Sequence, residues 1–129
     1  MPGDKVPIAT RLAIAKDFCL LSGEDAIIVP FLAAGGAGCI SVTANIAPRL
    51  CADLHKAWQG RDLDSVMELQ DRLMPLHTAM FCETSPGPVK YAASLLGKCS
   101  DEARLPVCEI SEASKQQVKQ AMVDVGLLN

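Results

Sequence analysis

Glu24 and Asp25 are the first residues in this chain whose types and spacing match a known chemistry. Adjacent carboxylates directly after the Ser22-Gly23 turn could work as a general acid/base pair. The same two carboxylates stand at the head of an apolar stretch, where they suit the positive end of a helix dipole, and capping is the preferred reading. His55 and His77 fall on separate predicted helices, with no Cys, Asp or Glu at ligand spacing around both, so no metal centre is expected. The run Gly35-Gly36-Ala37-Gly38 lacks the Lys-Ser/Thr of a phosphate-binding loop and closes a helix where such a loop opens one, so phosphate binding is not expected either. Tyr91, the single tyrosine, reads as a packing residue of a tail helix. No cofactor is implied.

The elements that would position these residues follow a recognisable grammar. Residues 11–16 read as the end of a helix, and residues 18–21 (Phe-Cys-Leu-Leu) as a short buried strand. Ser22-Gly23 turns the chain into a helix over residues 26–34, stopped by Gly35-Gly36, and residues 39–42 form the next strand. Strand, acid-capped helix, glycine stop and second apolar strand are the β-α-β pattern of a parallel sheet covered by helices. After Asn45 helical periodicity takes over. Residues 47–59 place Leu50, Leu54 and Ala57 on one face, and residues 63–81 carry Val66, Leu69, Leu73, Leu76 and Met80 at spacings of three and four through a kink at Pro75. A proline-rich turn over residues 83–88, a helix over 89–96 ended by Gly97, a loop over 105–110 and a last helix capped by Ser111 and closed by Gly126 complete the order.

Composition sets outer bounds. A chain of 129 residues, half of them hydrophobic, can bury one real core but hardly two. A net charge of −3 with no cluster of Lys and Arg argues against nucleic acid. The longest apolar stretch is far short of a membrane span and contains Pro30, and the N-terminus has Asp4 where a signal peptide needs a basic start. A cytoplasmic protein is expected, with Cys19, Cys39, Cys51, Cys82, Cys99 and Cys108 as reduced thiols.

Pro2-Gly3-Asp4, Ser22-Gly23-Glu24-Asp25, the stretch from Gly35 through Val42-Thr43-Ala44-Asn45, and Arg72-Leu73-Met74-Pro75-Leu76-His77 together resemble the C-terminal part of the dihydrodipicolinate synthase family, pyruvate-dependent lyases of lysine biosynthesis through diaminopimelate. The resemblance implies an α/β fold: the last two strands and helices of a (β/α)₈ TIM barrel in residues 1–59, then an all-helical C-terminal extension in residues 60–129. It implies that Gly23 lies beside substrate and that Ile40 offers a backbone contact to the pyruvate unit. Two plainer explanations stand beside these: an unusual φ in the turn at Gly23, and ordinary strand packing at Ile40. Gly3-Asp4 matches the end of the family motif whose lysine forms a Schiff base with pyruvate, and counting back places that lysine ahead of Met1. Lys5 lies beyond the motif, so no catalytic residue is assigned.

The expectation is therefore a truncated, catalytically silent relative whose pyruvate site is only partly present. Its open strand edges should favour self-association or pairing with a complementary barrel chain. A binding or regulatory module is the alternative, and an independent small protein with its apolar face covered is the third reading. Three departures from the family pattern fit a changed surface or relaxed constraint. Ser85 and Gly87 replace an asparagine and the residue between the prolines, which should loosen the 83–88 turn; Ile27-Ile28-Val29 is unusually apolar; and Cys39 stands where valine is common.

Overall fold

A computed structural model describes residues 18–129; the expected helix end at residues 11–16, the Pro2-Gly3-Asp4 motif and Lys5 lie outside them. The described residues fall into two compact units, 18–41 and Val42–Asn129.

In the first unit, β1 (Leu21–Ser22) runs parallel to β2 (Gly38–Cys39), with Leu21 opposite Gly38 and Ser22 opposite Cys39. Backbone bonds from Ala37 N–H to Leu20 O and from Ile40 N–H to Ser22 O, each 2.8 Å, extend this ladder by one step at either end. Both strands are shorter than the apolar runs predicted. Phe18 is 62% exposed and has no ladder partner among the described residues, and Val42 turns to helical angles (φ −75°, ψ −44°), ending the extended stretch. Between the strands the expected single helix divides into a 3₁₀ turn, Asp25–Ile27, and α1, Ile28–Ala33, which buries Ile28, Phe31 and Leu32.

The second unit is helical, as the periodicity predicts. A 3₁₀ turn at Thr43–Asn45 leads into α2 (Pro48–Gln59), α3 (Leu63–Ala79), α4 (Gly87–Leu95) and α5 (Glu112–Asp124). Val66, Leu73, Leu76 and Met80 make one fully buried face of α3 and its C-cap, which packs against α2 on one side and α5 on the other. Leu54 of α2 and Val118 and Met122 of α5 fill the space opposite. α3 runs through Pro75, which costs the Asp71 carbonyl its usual helical donor. Arg72 of α3 reaches the end of α5, where its Nη2 donates to Val125 O at 2.7 Å and complements the negative helix terminus.

The proline-rich turn is tight. Gly87, expected to loosen it, is buried at the start of α4, and a Cβ there would come within 2.7 Å of Ile110 Cγ2. Glu83 ties the same turn to α5: its Oε1 accepts from Ser111 N–H (2.9 Å) and Ser111 Oγ (2.7 Å), while Ser111 caps the helix by accepting from Ser114 N–H. Hydrogen bonds from Ser114 and Ser111 hold the Glu83 carboxyl below its ordinary 4.5. A depressed carboxyl stabilises the fold at neutral pH and loses that contribution as the pH falls through its folded value, so this brace should weaken in acid below 4.5. Ser111→Ala removes the cap and is expected to cost about 1 kcal/mol in urea unfolding at pH 7.

Among the described residues four of the five α-helices end alike, with the second residue past the helix bonding back three positions and the next one bonding back five. This closure needs a left-handed residue. α1, α4 and α5 use Gly35 (φ 94°), Gly97 (φ 67°) and Gly126 (φ 84°), but α2 uses Arg61 (φ 58°), where a side chain costs about 1–2 kcal/mol.

Candidate functional site

The two residues singled out for substrate stand at the same end of the parallel pair. Gly23 directly follows β1, and Ile40 directly follows β2, so both lie at the C-terminal ends of the strands, where βα loops of parallel sheets carry function. Ile40 donates its N–H to Ser22 O, which leaves its carbonyl oxygen as the group it can offer a ligand. The Ile40 side chain is 71% exposed, so the plain strand-packing explanation does not describe it. Gly23 has no left-handed φ, and a Cβ built on it would meet nothing within 4 Å. Turn conformation therefore does not demand glycine there; open space lies in front of it.

Local side-chain bonds hold this end in shape. Glu24 donates its N–H to Ser22 Oγ, which in turn donates to Glu24 O, both at 3.0 Å, closing the turn around Gly23. The Glu24 carboxylate accepts from Ala26 N–H at 3.1 Å, the cap the sequence predicts. Asp25 parts company with it. It is only 3% exposed, and its Oδ1 accepts from the Cys39 thiol at 3.9 Å, linking the 3₁₀ turn to β2. The sequence offers no local signal for that pairing, because the residues are 14 positions apart and meet only through the β-α-β crossover.

In the second unit, Thr43 Oγ1 and His77 Nδ1 lie 2.8 Å apart, both residues buried, joining the 43–45 turn to α3. Neither the pairing nor its burial follows from spacing. His55 lies half-buried on α2, and no group of three His, Cys, Asp or Glu side chains converges among the described residues. Tyr91 is half-buried on α4 with the Lys115 ammonium 5.7 Å from its ring centre, the packing place expected of it. Lys115 also pairs with Glu109, which raises its pKa above the ordinary 10.5. All six cysteines are thiols outside any disulfide. No helix among the described residues is long and apolar enough to cross a membrane.

The sequence model of the dihydrodipicolinate synthetase family matches residues 5–124. This chain belongs to that family. A 4-hydroxy-tetrahydrodipicolinate synthase of Rhodospirillum centenum is 58% identical over 127 residues, 98% of this chain and 44% of the relative. One from Acidiphilium cryptum is 57% identical, covering 95% and 42% respectively. Among solved structures, the dihydrodipicolinate synthase of Aquifex aeolicus superposes with a TM-score of 0.92 at 31% identity over 98% of this chain and 43% of that one. The Thermotoga maritima enzyme gives 0.89 at 36% identity, covering 97% and 42%. The chain thus spans less than half the length of the dihydrodipicolinate synthases it matches, and its α/β arrangement is part of theirs.

Proposed function

We propose that these residues form one wall of the pyruvate site in a dihydrodipicolinate synthase barrel, the lyase that joins pyruvate to aspartate semialdehyde in lysine biosynthesis. The observation that supports this reading most is the pairing of Gly23, with open space before it, and the available Ile40 carbonyl at one end of a parallel strand pair. Residues 1–59 are read as the last two strands and helices of the barrel, and residues 60–129 as its helical extension.

The chemistry assigns this wall a limited part. A Schiff-base lysine needs a desolvated pocket that lowers its pKa. Two strands cannot enclose such a pocket, and Lys115 is shifted the opposite way. A backbone carbonyl is an acceptor only, so Ile40 suits the positive charge of a pyruvate imine and not the pyruvate carboxylate. Gly23 keeps the volume beside it free for substrate. The amine comes from another strand of the barrel, and a polypeptide of these 129 residues is silent by itself. Leu21 and Ile40 are exposed at a strand pair whose two edges are open among the described residues, which favours self-association or pairing with a complementary barrel chain. Six cysteines outside any disulfide suit the cytosol.

Gly23→Leu tests the wall. Because a Cβ there meets nothing within 4 Å among the described residues, the variant should keep the parent melting temperature. In a barrel assembled with the remaining strands, its KM for pyruvate should rise about tenfold or more, equivalent to about 1.4 kcal/mol of lost binding. An unchanged KM would remove Gly23 from the site.

A further inference from the structure

Arg61 occupies a position that the fold would fill better with glycine. The same closure at the ends of α1, α4 and α5 uses glycine each time, and in α2 a glycine stands one place too early, at Gly60, in the right-handed region. Backbone strain of this kind persists where a side chain is held for a purpose. Among the described residues Arg61 makes no ion pair, because its neighbour Asp62 is engaged otherwise: Asp62 accepts from Ser65 N–H at 3.2 Å and Ser65 Oγ at 2.7 Å, capping α3. Arg61 instead lines an open cleft of about 500 Å³ with Trp58, Gln59 and Leu63, the last 60% exposed. That volume lies within the range of small-molecule sites, about 300–1,000 Å³.

We propose that this cleft at the α2–α3 turn binds small planar aromatic carboxylates, with the Arg61 guanidinium on the carboxylate and the Trp58 indole against the ring. A guanidinium fork matches a carboxylate in two parallel hydrogen bonds. An indole face takes an aromatic ring in offset stacking, Leu63 extends the apolar side, and the Gln59 amide supplies one further donor or acceptor. Charge selects the monoanion. Among the described residues one arginine and no lysine line the cleft, and the neighbouring Asp62 and Asp64 disfavour a doubly charged phosphate. The site is independent of the pyruvate wall, since Gly23 and Ile40 take no part in it.

Trp58 is the only tryptophan, so its emission reports on this cleft alone. The 129-residue chain would be titrated with benzoate and with its neutral isostere benzamide, with calorimetry as a second readout. Benzoate should quench Trp58 saturably in the millimolar range expected of so small a ligand, and benzamide should bind roughly tenfold more weakly or worse. Arg61→Gly should melt at or above the parent temperature while losing benzoate affinity by about tenfold or more. Arg61→Asn tolerates the left-handed region with a neutral side chain and should lose affinity equally. Equal binding of benzoate and benzamide, parent affinity in folded Arg61→Gly, or no saturable response would each overturn the assignment.

Discussion

Leu73→Ala is expected to lower the unfolding free energy of the helical unit by about 3 kcal/mol, within the 2–5 kcal/mol of buried leucine truncations. Leu73 is fully buried at the middle of α3, between Val66 and Leu76 on the face that meets α2 and α5. Deletion of its branch leaves a cavity that the surrounding helices cannot easily collapse, because Leu54, Val118 and Met122 are themselves fully packed. Urea unfolding followed by Trp58 emission measures it directly, since Trp58 lies on α2 in the same unit. A loss below about 1 kcal/mol would mean that α3 is not the centre of this core. Met67→Ala, next to Val66 in sequence but exposed, is the internal control and should change little.

Borohydride should trap no pyruvate adduct on a polypeptide of these 129 residues, whereas a mixture with the preceding barrel strands should yield one, on a lysine of those strands. The first half follows from what imine formation requires. A lysine must be part free amine at neutral pH, so it needs burial or a neighbouring cation. Of the lysines among the described residues, Lys56 and Lys119 are exposed on helices, Lys98 is exposed in the bend after Gly97, Lys90 donates to Glu102 O, and Lys115 is held charged by Glu109. The second half follows from Gly23 and Ile40 standing ready at the strand ends. Mass spectrometry of digested protein locates any adduct. A specific adduct on one of this chain's own lysines would overturn the silent reading, and failure of the mixture to form one despite a defined complex would count against the pyruvate wall.

Much of this molecule is legible from local pattern. Helical periodicity in residues 47–125 predicts α2 to α5 within a few residues, because each helix satisfies its own backbone and needs only a matching apolar stripe. Ser111 as a cap, Gly97 and Gly126 as stops, and Glu24 at a helix start are likewise chemistry within four or five residues. Family membership rests on motifs of the same short range. The strands were less legible: an apolar run predicts burial, but a strand extends only as far as its neighbour offers a ladder, here two residues on each side.

The order of elements, the apolar faces and the family follow from residue type and spacing along the chain. Contacts in space set the rest: Asp25 is buried against Cys39 while Glu24 caps, Thr43 meets His77, Ile110 requires glycine at position 87, and Arg61 takes a left-handed turn beside Trp58. Each of these depends on which atoms the fold brings together or on a backbone angle set by the helix end. Neither is written in the type of a single residue or in its distance along the chain.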